Sequence, residues 1–397
     1  MKIDHEFLAQ MREATQLLQT SGPAAATAAI QRALHGGATP TTDWAARMPQ
    51  ADNLVDINPS TATTAEPAAG PSADILQRIR KAFDGKWKGT SARQPVEDVE
   101  IDEPREAKDK GKFLSASCTN HAGTRAYKIY VPSGYNGEPL PLVVMLHGCK
   151  QNPDDFAAGT GMNAVAEQNN CFVAYPAQVH AANGSNCWNW FQADDQRRDQ
   201  GEPSIIADIT RKVMRDYRVD PGRVYVAGLS AGGAMAAIMG ARYPELYAAI
   251  GIHSGLPVGA ARDLPSAFAA MQGGAAADKV HADAKPVIVF HGDRDTTVHP
   301  RNGDQALAQC STDFSGDCAN QQRSADVTVE KGKVPNGRSY TRTMRRDSSG
   351  RTVAEQWLVH GAGHAWSGGS RKGSYTDPKG PNAAQEMLRF FYAHTHG

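Results

Sequence analysis

The chain reads as an α/β protein, a mostly parallel sheet with helices on both faces, preceded by an N-terminal helical hairpin and a flexible linker. Three observations predict this. From residue 112 onward, short apolar runs alternate with helical stretches. The runs are apolar at consecutive positions, as parallel strands buried on both faces must be. Several runs end directly in glycine, histidine or aspartate, at the strand ends where open α/β sheets gather their ligands.

Within residues 3–19, Phe7, Leu8, Met11, Leu17 and Leu18 mark one face of a helix, which Ser21-Gly-Pro23 breaks. Ala24 to Leu34 reads as a second, alanine-rich helix ending at Gly36-Gly37, so residues 1–35 form a hairpin too small to fold alone. Residues 36–73 are rich in Ala, Thr, Pro and Gly and cannot bury a core. Residues 78–110 carry a basic cluster and then an acidic one, a solvated approach segment. The linker is therefore 36–111 and the catalytic domain 112–397. Its predicted strands are Tyr127-Lys-Ile-Tyr-Val131, Leu142-Val-Val-Met-Leu146, Cys171-Phe-Val-Ala-Tyr175, Val224-Tyr-Val-Ala227, Ala248-Ala-Ile-Gly-Ile252, Val287-Ile-Val-Phe290 and Gln356-Trp-Leu-Val359. Helices are expected over 154–168, 202–218 and 231–243, and residues 256–285, with Phe268 and Met271, as an inserted lid.

Composition excludes several classes. The 42 Lys and Arg balance 42 Asp and Glu, so there is no basic excess for a nucleic acid or an anionic membrane. No run of about 18 apolar residues spans a bilayer. Lys2, Asp4, His5, Glu6, Arg12 and Glu13 occupy the place of an apolar signal core, which predicts a cytoplasmic chain. Of the 6 cysteines, no two form a CxxC pair, which argues against a cysteine zinc site. Cys310 and Cys318, flanking Gly316, are spaced for a small closed loop.

Gly228-Leu-Ser230-Ala-Gly232 follows a strand and opens a helix, the setting of a nucleophile elbow. Its glycines clear space for a tight turn that exposes the Ser230 hydroxyl. A serine needs a base, and the base needs an orienting carboxylate. The next strand ends in His291-Gly-Asp-Arg-Asp295, the following one in His360-Gly-Ala-Gly-His364. We therefore expect Ser230, Asp295 and His364 as the catalytic set, with Asp293 the competing acid, His360 the competing base and His291 structural. The order Ser, Asp, His is that of α/β-hydrolases. The His360/His364 spacing could suit a metal, but Gly361 and Gly363 disfavour the helix such a pair requires, and no metal or cofactor is expected. Oxyanion stabilisation needs two backbone amides. Ala231, after the serine, and Cys149, in the loop after Leu146, are the candidates.

Leu146-His-Gly-Cys-Lys-Gln-Asn-Pro-Asp-Asp-Phe156, Cys187-Trp-Asn-Trp-Phe191, Gly228-Leu-Ser-Ala-Gly-Gly-Ala234, His253-Ser-Gly255 and Gly363-His-Ala-Trp366 resemble the esterase family of polyhydroxybutyrate depolymerases. That family also holds feruloyl and acetylxylan esterases. The resemblance covers roughly residues 112–395. It implies an α/β-hydrolase fold, the same three catalytic residues and the same two oxyanion amides. It implies hydrolysis of poly(3-hydroxybutyrate) or related short-chain polyesters through an acyl-enzyme. By analogy with secreted relatives it brings Cys149 near Cys187. Trp188, Trp190 and Trp366 are expected to line an apolar groove for the polymer. Two other readings stand beside it: a feruloyl or acetylxylan esterase, and a non-catalytic protein bound to polyester granules through its N-terminal helices.

Overall fold

The computed structural model describes residues 111–273, 285–311 and 326–396. The predicted hairpin, the linker up to residue 110, and Cys318 lie outside the described residues. In chain order the elements begin with β1 (Lys112–Asn120), β2 (Gly123–Val131), β3 (Leu140–Leu146), α1 (Pro153–Thr160), α2 (Met162–Asn169) and β4 (Phe172–Pro176). They continue with α3 (Gly201–Asp216), β5 (Val219–Leu229), α4 (Ala231–Arg242), β6 (Ala249–His253), α5 (Leu264–Gly273), β7 (Val287–Gly292) and α6 (Arg301–Ser311). The last are β8 (Asp326–Lys333), β9 (Ser339–Arg346), β10 (Thr352–Val359), the short β11 (Trp366–Ser367) and β12 (Thr376–Asp377), and α7 (Ala383–Tyr392).

Ten of the described strands form one sheet in the order β1-β2-β4-β3-β5-β6-β7-β10-β9-β8. The six from β4 to β10 are parallel neighbours. An antiparallel pair closes each edge. Successive side chains of a strand face opposite sides of the sheet. Leu142, Val144 and Leu146 of β3 accordingly enter one core, and Val143 and Met145 the other. All five are fully buried, at about 1.5–3 kcal/mol for each such side chain. This is why the central strands read as unbroken apolar runs.

All seven expected strands are present, within a few residues of their predicted bounds. The helix expected over 154–168 is two helices. Gly161, at φ 65°, caps α1 in the left-handed conformation, and its amide donates to Ala157 O, so the chain turns before α2 begins. The expected lid is in part core. Leu256, Val258, Ala260 and Ala261 are buried, and Gln309 of α6 brackets Val258 through both its amide and its carbonyl. Leu264 and Phe268 of α5 are its large exposed apolar side chains among the described residues, and residues 274–284 of the expected lid lie outside them.

Candidate active site

Ser230 sits between β5 and α4 with φ 58° and ψ −119°. A side chain in this left-handed region is strained by about 1–3 kcal/mol. Bonds on both sides hold it: Ser230 N donates to His253 O at 2.9 Å, and Ala234 N donates to Ser230 O at 2.9 Å. The glycines answer to close packing. A Cβ on Gly232 would lie 2.0 Å from Leu146 O, and one on Gly228 would lie 2.3 Å from the Gly232 carbonyl. The start of α4 is thereby pressed against the end of β3. That brings the loop after β3 beside the serine, where a Cβ on Gly148 would stand 3.6 Å from Ser230 Cβ.

Asp295 and His364 meet across the ends of β7 and β10, which are parallel neighbours. His364 Nδ1 is 2.7 Å from Asp295 Oδ2. The other oxygen of Asp295 accepts from the amides of Thr297 and Val298, both at 2.9 Å. The side chain of Asp295 is wholly buried, that of His364 about 11% exposed. Burial would raise the Asp295 carboxyl, but hydrogen bonds from His291 and His364 outweigh it and hold the acid well below the usual carboxylate range. An ionised carboxylate only accepts, so Nδ1 of His364 carries the proton and Nε2 is left with a lone pair.

Asp293, the competing acid, is engaged elsewhere. Its carboxylate accepts from His360 Nδ1 at 3.0 Å and from Gly361 N at 2.6 Å. His360 Nε2 in turn meets Thr341 Oγ1 at 2.9 Å. His291 is buried, with Nε2 2.9 Å from Val298 O and 3.4 Å from Asp295 Oδ2. It braces the turn that carries Asp295.

His253 was legible only as part of a motif, with no role attached. Its carbonyl holds Ser230, and its Nε2 accepts from Ser367 N at 2.9 Å. One residue thus ties the serine turn to the chain just beyond His364. Its ring stacks on Phe290 and Trp366. Burial, with the neighbouring His291 and His364, pushes it well below the ordinary histidine range, so it stays neutral.

The loop after β3 is fixed by a Cys149–Cys187 disulfide, as the resemblance implied. Cys310 is a free, buried thiol on α6, facing an apolar lining that includes Ala237, Ile250 and Val258, and its expected partner Cys318 lies outside the described residues. Burial pushes the Cys310 thiol up to about 12, as it does Cys171. The three tryptophans do not line an open groove. Trp188, Trp190 and Trp366 are 0%, 6% and 1% exposed. Trp188 packs on His147, Trp190 on Phe191, and Trp366 between Phe156 and His253, so they back the site from the core. Among the described residues no helix is long and apolar enough to cross a membrane.

Comparison with known proteins agrees with this architecture. Poly(3-hydroxyalkanoate) depolymerase C of Paucimonas lemoignei is 32% identical over 261 residues, which are 62% of this chain and 59% of that protein. Poly(3-hydroxybutyrate) depolymerase of Ralstonia pickettii is 30% identical over 260 residues, 60% of this chain and 50% of that one. The chain thus matches between half and three fifths of the length of these two relatives. An acetyl xylan esterase structure from Aspergillus awamori shares the fold, with a TM-score of 0.55 at 20% identity over 70% of this chain and 99% of that one. The family model described as esterase PHB depolymerase matches residues 125–331, just over half of the chain. The chain therefore belongs to the esterase family of PHB depolymerases.

Proposed function

We propose that the chain is a serine carboxylic ester hydrolase that cleaves poly(3-hydroxybutyrate), or related short-chain polyesters and their oligomers, through an acyl-enzyme. The observation that carries this reading is the pairing of buried, ionised Asp295 with His364 Nδ1, alongside a serine held in a strained strand-to-helix turn.

His364 Nε2 takes the Ser230 proton as Oγ attacks the ester carbonyl. Negative charge develops on the carbonyl oxygen and is met by the amides of Cys149 and Ala231. The protonated imidazole, oriented by Asp295, hands its proton to the leaving alkoxide. That releases one piece of the substrate as an alcohol and leaves the other as an ester of Ser230. Water, deprotonated by His364, attacks this ester. The products are a carboxylic acid and free Ser230.

The uncharged backbone of a polyester suits a chain whose formal charges cancel. Names of the two depolymerase relatives support the polyester over a feruloyl or acetylxylan ester. The test is product analysis. The full chain is incubated with amorphous poly(3-hydroxybutyrate), methyl ferulate and acetylated xylan. Release of 3-hydroxybutyrate units by the wild type, and not by Ser230→Ala, is expected. Faster turnover of methyl ferulate or acetylated xylan would assign the substrate to the other branch of the family. Activity surviving in Ser230→Ala would remove the mechanism. No hydrolysis of any ester would leave the granule-binding reading.

A further inference from the structure

We propose that Glu202 is a positioning residue for the oxyanion site, aligning the Cys149 amide through Gln178 and His147. This rests on the assignment of Cys149 N as an oxyanion donor.

A trans peptide is planar, so its C=O and N–H point in opposite directions. Whatever fixes the Gly148 carbonyl therefore aims the Cys149 N–H. Two donors fix that carbonyl: His147 Nδ1 at 2.8 Å and Gln151 N at 3.2 Å. His147 can donate from Nδ1 because Nε2 is occupied as an acceptor, receiving Gln178 N at 3.1 Å. Its ring is buried, which pushes it down to about 4 and keeps it neutral.

Gln178 is itself held by Glu202. Its Nε2 donates to Glu202 Oε1 and, at 2.9 Å, to Cys187 O. Its Oε1 accepts from Arg125 Nε at 3.1 Å. Glu202 also accepts Asn189 N at 2.7 Å and Asn189 Nδ2 at 2.8 Å. Asn189 lies two residues after Cys187, which is bonded to Cys149. One carboxylate thus grips both routes to the Cys149 amide, the peptide-plane route through His147 and the covalent route through Cys187.

Glu202 is 3% exposed, which is costly for an acid unless it is well partnered. The charged groups around it are Asp195, which accepts Glu202 N at 2.7 Å, and Arg125 on β2. Gln178, Asn189 and Glu202 are all buried, so no water stands in for a lost partner.

Glu202→Gln keeps the shape but sets an amide N–H against an N–H donor. An oxyanion donor acts in the transition state and little in substrate binding. A misaligned donor lowers kcat by about tenfold to a hundredfold, below the loss for deleting one outright. The expected result on p-nitrophenyl butyrate, measured above the pH of about 7 through which Glu202 ionises, is that fall in kcat with KM within about twofold. Affinity for an alkylboronic acid, which forms a tetrahedral adduct on Ser230, should fall by a similar factor.

Gln178→Met is the companion variant. It leaves Glu202 and Asn189 paired and removes the side-chain bonds of Gln178 to Glu202, Cys187 O, Arg125 and Val179 N, and the same split is expected. Unchanged kcat in both folded variants overturns the proposal, as does a loss seen in KM with boronate affinity intact. If both variants fail to fold, as judged by near-UV circular dichroism, Glu202 is a stability group and the positioning role is refuted. Absence of Ser230-dependent turnover in the unaltered chain would instead overturn the functional reading itself.

Discussion

Asp295 Oδ2 lies 2.7 Å from His364 Nδ1, while Asp293, two residues earlier in the same turn, holds His360. The two acids are chemically alike and nearly adjacent, yet the structure gives them different histidines. Asp295→Asn would present an amide to His364 and favour the wrong tautomer, so kcat should fall about 10⁴-fold. Asp293→Asn disturbs only the His360 pair, and a loss of less than about tenfold is expected. Steady-state kinetics on a soluble p-nitrophenyl ester separates the two. Equal losses would mean that Asp293 shares the work.

The backbone of Ser230 suits glycine, at φ 58° and ψ −119°. Ser230→Gly and Ser230→Ala both remove the hydroxyl, but only glycine relieves the strain. Urea unfolding should find Ser230→Gly the more stable of the two by about 1 kcal/mol. The opposite order would show that the turn is not strained. Gly232→Ala goes the other way, because its Cβ would meet the backbone of β3 at 2.0 Å. A loss of about 3 kcal/mol is expected there.

The Cys149–Cys187 bond closes a sequence separation of 38 residues. By chain entropy such a closure contributes about 3–4 kcal/mol. In protein purified without reductant and then unfolded, mass spectrometry should find Cys118, Cys171 and Cys310 alkylated and Cys149 and Cys187 protected. Cys149→Ser with Cys187→Ser should lower the urea midpoint accordingly. Alkylation of Cys149 in the untreated protein would refute the bond.

Stability should depend on pH with two opposing signs. Burial, and then neighbouring Asp195, pushes Glu202 up to about 7 from its ordinary 4.5. In that window the folded chain keeps a proton that the unfolded chain releases. The contribution is full below 4.5 and is lost as pH rises through 7. His147, pushed down to about 4 from 6.5, acts in the opposite direction. Its contribution is full above 6.5 and is lost as pH falls through 4. Glu202→Gln removes the first and keeps the second. Its melting temperature should therefore drop more steeply than that of the wild type between pH 6.5 and 4.5. Parallel curves would contradict the assignment.

The edge of the sheet shows where the sequence fell short. β1, β8 and β9 lack the unbroken apolar runs of the centre, because an edge strand is covered on fewer sides. Ser339-Tyr-Thr-Arg-Thr-Met-Arg-Arg346 is half-exposed at most positions and resembles a loop as a string. The break between α1 and α2 was equally hidden, since glycine inside a helical pattern does not announce whether it bends or caps.

The sequence by itself determined the central strands and the place of the chemistry. Burial on both faces writes an unbroken apolar run into each strand from β3 to β7, and the tight serine turn writes glycines at 228 and 232. Both are local constraints, recorded where they act. Tertiary structure alone decided which aspartate meets which histidine, because that follows from the register of β7 against β10, where Gly292 faces Val359. It alone buried the three tryptophans. It alone joined Glu202, Gln178 and His147 into one chain of hydrogen bonds, spanning 55 positions in sequence from His147 to Glu202. Hydrogen bonds reach about 3 Å in space whatever the separation along the chain, and a pattern of spacings does not carry that information.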